Sequence, residues 1–212
     1  MKVQGVAGAV PGALLAAVLG VTAVVRRTKP LHPRGRVGSG VLSVTSPDRE
    51  LGVPLLAATG EHPCTVRWSR AMGLPAPVPD VEGFAVRFAE PTADVLFAAT
   101  GTGRIGRFLL VPRLARRHGP QTTLLPVATE AGSLLLKVTP LDDAEPPTRW
   151  ELAVARAGSS WSPVGTIRVD WGNDEPLRFD PVEHQLPGTV QYPVVRTMRE
   201  PAYVAARLGA RV

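Results

Sequence analysis

The stretch HPCTVRWSRAMGLPAPVPDVEGFAVRF, residues 62–88, sets the pattern of the fold. It holds two β-prone runs, TVRW and GFAVRF, on either side of a segment rich in proline, which is typical of strand, loop and strand. Similar runs recur along the chain, at VGSGVLSVT, DVLFAAT, RFLLVPR, TTLLPVAT, SLLLKVT, WELAVARA and PVGTIRVDW. Because eight or nine strands follow one another without helical periods between them, the sequence predicts an antiparallel barrel or sandwich.

Twenty uncharged residues, 6–25, precede this β-rich region. The segment is long enough to span a bilayer, and the basic residues at 26–29 follow it as they follow an anchor on the cytoplasmic side. A helix packed on the barrel and a cleaved signal peptide ending at Ala23 are the alternatives. We expect residues 1–28 to form an uncleaved apolar helix that packs on the barrel or associates with membrane, and residues 29–212 to form one cytoplasmic barrel domain.

The composition of the 212-residue chain excludes several classes of protein. It is 44% hydrophobic and 20% charged, which is ordinary for a folded domain. The single cysteine, Cys64, excludes an internal disulfide and a cysteine-based metal cluster, and its strand-like surroundings predict a small buried side chain. The net charge of +6 comes from scattered arginines, and aromatic residues make up only 5%, so we expect no nucleic-acid partner.

Two polar clusters stand out near the first strands. His32 precedes the glycine-rich entry to the first strand-like run. Arg67 and Ser69 stand two residues apart in the next run, so a strand would place both side chains on one face, with Trp68 on the other.

A third cluster lies close to the C-terminus, where residues 194–208 have helical character. Arg199 and Tyr203 are four residues apart there, a spacing that places both side chains on one face of a helix.

In this order the clusters resemble the catalase family of haem β-barrels, with this chain as a short and divergent member. The matching pieces are His-Pro-Arg-Gly at 32–35, Val-Arg-Trp-Ser at 66–69, Glu-Gly-Phe-Ala-Val-Arg-Phe at 82–88, PVGTIRVDW followed by LRFDPVEHQLPG, and Arg199 four residues before Tyr203. The resemblance covers roughly residues 29–208. It implies a mainly β (α+β) fold, an antiparallel catalase-like barrel with an N-terminal apolar helix and a C-terminal helix.

The resemblance also implies a role for each matching residue. Haem b would be held with its iron on Tyr203, with Arg199 beside that ligand and Arg67 on a haem propionate. His32 would act as the acid–base group toward peroxide, and Ser69 would orient it.

One departure from the family pattern sets the expected chemistry. The family carries an asparagine beside the peroxide, in the run Asp-Leu-Val-Gly-Asn-Asn, and we assign its position in the matching run, which begins at Asp94, to Ala99. We therefore expect weak peroxidase-like chemistry on peroxide or a lipid-like hydroperoxide rather than efficient catalase activity. The alternative is a degenerate barrel that binds no haem and serves as a binding or structural module. Metal-dependent hydrolysis is not indicated, because the remaining histidines do not stand with carboxylates at metal-ligand spacing.

Overall fold

The computed structural model describes residues 34–193 except 76, 157 and 176. Its strands are β1 Arg34–Val44, β2 Gly60–Arg70, β3 Glu82–Ala89, β4 Thr92–Ala99, β5 Gln121–Thr122, β6 Val127–Thr129, β7 Gly132–Pro140, β8 Arg149–Arg156, β9 Ser162–Trp171 and β10 Val190–Gln191. Three single turns of 3-10 helix lie at Arg49–Leu51, Pro54–Leu56 and Gly106–Phe108.

Eight of these strands close into an antiparallel barrel in the order β1-β2-β3-β4-β5-β7-β8-β9. Because β9 pairs with β1 and β7 pairs with β8, these eight strands leave no open sheet edge. The predicted antiparallel barrel is confirmed, whereas the predicted helices at residues 1–28 and 194–208 lie outside the described residues. No helix in the described part of the chain is both long enough and apolar enough to cross a membrane.

Alternate side chains of the strands fill the barrel interior, as they do in other eight-stranded barrels. Val66 and Phe84 are almost completely buried there, and the Trp150 ring packs on the Phe84 ring with centroids 4.4 Å apart. Each such side chain contributes roughly 1.5–3 kcal/mol through burial. Gly40 makes room for them, because a Cβ at that position would lie 2.9 Å from Cγ2 of Val66. Cys64 faces the same interior, and burial raises the pKa of its thiol to about 12, so the predicted small buried side chain is confirmed.

The prediction of a strand at residues 107–113 is wrong. The chain begins a 3-10 turn at Gly106–Phe108 instead, and the rest of the run makes only isolated bridges. Pro112 lacks the N–H that a continuous ladder needs. The predicted strand at TTLLPVAT is broken into β5 and β6, because Leu124 adopts a positive φ of 60° and Pro126 follows it.

A buried carboxylate fastens the segment at residues 178–191 to the outside of the barrel. Asp94 accepts hydrogen bonds from Arg87 Nε at 2.7 Å, Arg87 Nη2 at 2.6 Å and the Asp180 N–H at 2.6 Å, and His184 Nδ1 lies 3.2 Å away. Burial raises the pKa of Asp94, but the hydrogen bonds from Arg87, Asp180 and His184 outweigh it and hold that pKa below its usual range. The ionised carboxylate therefore anchors this segment to β3 and β4.

Candidate functional site

The outer face of β1 to β4 brings Ser69 together with small residues of three neighbouring strands. In the sheet register Gly35 lies opposite Ser69, Ser69 opposite Gly83, and Gly83 opposite Ala98. Opposite residues project from the same face of a sheet. Since strands are spaced about 4.8 Å apart, this rung crosses about 14 Å without a bulky side chain. The rung forms a flat floor, which we call the β1–β4 outer face.

The adjacent rung of the β1–β4 outer face carries one charged side chain, Arg67, among Val37, Ala85 and Leu96. The Arg67 side chain is only 14% exposed, and its Nη2 donates to Oδ1 of Asp174 at 3.3 Å. Trp68 projects to the opposite side and packs against the barrel core. The predicted placement of Arg67 and Ser69 opposite Trp68 is confirmed.

Gly35 is needed where β1 passes this site. A Cβ at position 35 would lie 2.4 Å from the Trp68 carbonyl oxygen and 3.1 Å from both Arg67 Nη2 and Ser69 Cβ. No side chain fits that space without movement of the β2 backbone. The glycine therefore allows the Arg67 guanidinium to lie beside Ser69.

Ala99, to which we assign the family's asparagine, does not share the face of the barrel wall that carries Ser69. Ala99 lies opposite Gln121 and is fully buried in the barrel interior, on the same side as Phe97. Ala98, at the first asparagine of the family's run, belongs to the Ser69 rung on the outer face. A shift of one residue along a strand moves a side chain to the other side of the barrel wall. Alanine occupies both positions, so neither supplies a hydrogen-bond donor.

Three predicted site residues, His32, Arg199 and Tyr203, lie outside the described residues, and their roles stay predictions. The described chain begins at Arg34, two residues after His32, and the next residue, Gly35, pairs with Ser69. The start of β1 thus stands at the same end of the barrel wall as Ser69.

The second tyrosine of the chain, Tyr192, is engaged on the opposite wall. Its hydroxyl makes a hydrogen bond with the hydroxyl of Ser133, which belongs to β7. Strands β3, β4 and β5 separate β7 from β2 in one direction around the barrel, and β1, β9 and β8 separate them in the other. Tyr192 therefore lies across the barrel from Arg67 and Ser69.

A buried histidine that sequence reasoning left unpaired packs at the ends of β2 and β3. His118 Nδ1 is 2.8 Å from Glu82 Oε1, its Nε2 is 3.6 Å from Glu145 Oε2, and its ring meets the Trp68 ring edge-on. Burial lowers the pKa of His118, but the hydrogen bond and charge of Glu82, together with Glu145, outweigh it and raise that pKa above its usual value. Glu82 lies 36 residues away in sequence, a separation that no local spacing rule detects. Within the described ranges, no group of three His, Cys, Asp or Glu side chains is placed to hold a metal ion.

Solved structures of catalases share this fold. A fungal catalase matches with a TM-score of 0.57 and 12% identity over 91% of this chain and 62% of its own. A bacterial catalase matches with a TM-score of 0.50 and 17% identity, over 91% of this chain and 60% of its own. Catalase A from Saccharomyces cerevisiae matches with a TM-score of 0.54 and 14% identity, over 93% of this chain and 65% of its own. No family model and no curated protein sequence matches the chain. The fold is therefore a catalase-like antiparallel β-barrel, in a chain that spans 60–65% of the length of these catalases.

Proposed function

We propose that this chain binds haem b at the β1–β4 outer face and catalyses weak peroxidase-like or organic-hydroperoxide chemistry. The observation that carries the proposal is the placement of Arg67 and Ser69 together on a flat floor of small residues, in a catalase-like barrel. At the identities found, the likeness to catalases concerns the fold alone, so the cofactor is inferred from this face and from the matching residues.

Two features of the described residues fit a planar ligand with carboxylates at its edge. The Arg67 guanidinium already donates to a carboxylate, that of Asp174, and a haem propionate requires the same chemistry. The Ser69 rung and Ala85 present no bulky side chain, so a flat apolar macrocycle can pack closely against the strands.

The resemblance and the inventory of two tyrosines support Tyr203 as the iron ligand. Tyr203 would supply a phenolate, and Arg199, one helical turn earlier, would stabilise that anion. Tyr192 is committed to Ser133 across the barrel, which supports Tyr203 as the ligand. When bound, the haem supplies the redox chemistry that peroxide reduction needs.

The proton chemistry falls to His32, with Ser69 orienting its imidazole. Near neutral pH an imidazole can take a proton from one peroxide oxygen and return it to the leaving oxygen. Neither Ala98 nor Ala99 can donate a hydrogen bond to peroxide, and a missing donor of this kind costs on the order of a hundred- to thousand-fold in rate. We therefore propose slow oxidation of a reducing substrate by peroxide or a lipid-like hydroperoxide. The setting would be cytoplasmic, with residues 6–25 packed on the barrel or associated with membrane.

Titration of the full chain with haem b, followed by absorbance, tests this proposal. We expect an equimolar complex with a Soret band, and binding weakened about tenfold in Arg67→Ala because a charge-assisted hydrogen bond is lost. Arg149→Ala is the matched control, since Arg149 is exposed on β8, and it should bind like wild type. If the wild-type chain forms no complex with haem, the proposal is wrong and the alternative of a barrel without haem is favoured.

A further inference from the structure

We infer that Asp174 is an internal carboxylate that occupies the propionate position on Arg67 and lowers the affinity of the site for haem. The inference rests on the proposed function. It adds that a ligand carboxylate competes at Arg67 Nη2 with one that the chain itself supplies.

The two carboxylate oxygens of Asp174 are bound by two donors of the β1–β4 outer face. Oδ1 accepts from Arg67 Nη2 at 3.3 Å, and Oδ2 accepts from the Gly35 N–H at 2.8 Å. Gly35 belongs to the rung of Ser69, so the carboxylate lies at the edge of the floor on which the macrocycle would rest. An arginine with a carboxylate already bound must exchange it before its guanidinium can bind a propionate at the same N–H groups.

The backbone beside Asp174 is held in place by the barrel. Gly172 N–H donates to the Val37 carbonyl at 2.8 Å, and Val37 N–H donates to the Asn173 carbonyl at 3.2 Å, so the ladder between β1 and β9 continues past the end of β9. These hydrogen bonds hold the backbone that precedes Asp174 beside the start of β1, within reach of Gly35 and Arg67.

The exposures of the two partners indicate which of them moves. The side chain of Asp174 is 36% exposed, whereas that of Arg67 is 14% exposed and packed beside Gly35 and Ser69. Asp174 can therefore rotate into solvent while the guanidinium stays in place for a propionate. The negative charge that remains nearby also repels a propionate. Both effects act in the same direction, against ligands that carry a carboxylate.

The effect of Asp174 on haem affinity should be modest because the ion pair between Arg67 and Asp174 is partly exposed. Ion pairs of this kind contribute little, so we expect replacement of the charge to tighten haem binding by roughly two- to fivefold. Haem dimethyl ester, whose propionates are neutral, forms only weaker hydrogen bonds with a guanidinium and is not repelled by Asp174, so it should gain much less than haem b.

The test compares haem b and haem dimethyl ester in absorbance titrations of wild type, Asp174→Asn and the control Asp143→Asn, all in the full chain. The Asp174→Asn substitution keeps the size of the side chain, and its amide oxygen can still accept from the Gly35 N–H, whereas Asp143 is exposed and distant in sequence from this site. We expect tighter haem binding only in Asp174→Asn, a much smaller gain for the ester, and no gain when Arg67→Ala is already present.

The possible failures are distinguishable. If wild type binds haem and Asp174→Asn binds equally or more weakly, Asp174 supports Arg67 and the inference is wrong, although the proposed function stands. An equal gain for the ester also overturns the inference. If neither protein binds haem, the proposed function fails and this inference fails with it. If Asp174→Asn misfolds, Asp174→Ser provides the same comparison of haem b with haem dimethyl ester. The midpoint of its urea denaturation shows whether that variant is folded.

Discussion

Asparagine at position 98 and asparagine at position 99 of β4 should have opposite consequences, because the two side chains lie on opposite sides of the barrel wall. Ala99 is fully buried opposite Gln121, so an amide there must fit into a filled interior. Overpacking of this kind costs about 1–3 kcal/mol, of which a hydrogen bond to the Gln121 amide would offset only a part. Ala98 is half-buried on the outer face, so Ala98→Asn should change the free energy of unfolding by less than about 1 kcal/mol.

Only Ala98→Asn places a donor in the rung of Ser69. In haem-loaded protein we expect it to raise peroxide consumption at least about tenfold, a part of the hundred- to thousand-fold that a preorganised donor contributes. Ala99→Asn should leave that rate unchanged. Urea denaturation gives the stabilities, and the loss of peroxide absorbance gives the rates. Equal destabilisation by the two variants, or a faster reaction in Ala99→Asn alone, would refute the assignment of faces on β4.

Three further predictions concern the buried polar groups. Asp94→Asn should lower the free energy of unfolding by about 3 kcal/mol because Arg87 loses its buried counter-charge. The stability difference between wild type and variant should be present above about pH 4 and vanish as pH falls through the lowered pKa of Asp94. Urea denaturation across pH checks this, and a difference that grows toward acid pH would contradict it. Wild type should have a higher free energy of unfolding than His118→Gln, by an amount that is complete below about pH 6.5 and declines as pH rises through the raised pKa of His118. A stability difference independent of pH would mean that the contact with Glu82 does not depend on a proton. Cys64 should react with a thiol reagent only after unfolding, because its pKa is about 12 in the folded chain, and rapid labelling of the folded protein would show that it is not buried.

The strands of the barrel could be predicted because their side chains alternate between a filled interior and an outer face. Arg67 and Ser69 on one side of β2, with Trp68 on the other, follow from that period of two alone. The break between β5 and β6 could not be predicted in this way, because it depends on the backbone conformation of Leu124. A leucine seldom adopts a positive φ, so its identity gives no sign of the break.

The face of β4 that carries the site could not be read from the sequence either. Ala98 and Ala99 are chemically identical, and Asp94, the one charged residue of the strand, is itself buried by its partners. Contacts across the fold are equally hidden. Glu82 and His118 are 36 residues apart and Gly35 and Asp174 are 139 apart, so only the closed barrel brings each pair together.

The absorbance spectrum of haem-reconstituted Tyr203→Phe, measured beside wild type and Tyr192→Phe, tests the central claim most directly. A phenolate bound to ferric iron gives a spectrum that phenylalanine cannot support. We expect Tyr203→Phe to lose or transform that spectrum, and Tyr192→Phe to keep it, because Tyr192 is hydrogen-bonded to Ser133 across the barrel. A Tyr203→Phe spectrum identical to that of wild type would contradict the assignment of the iron ligand.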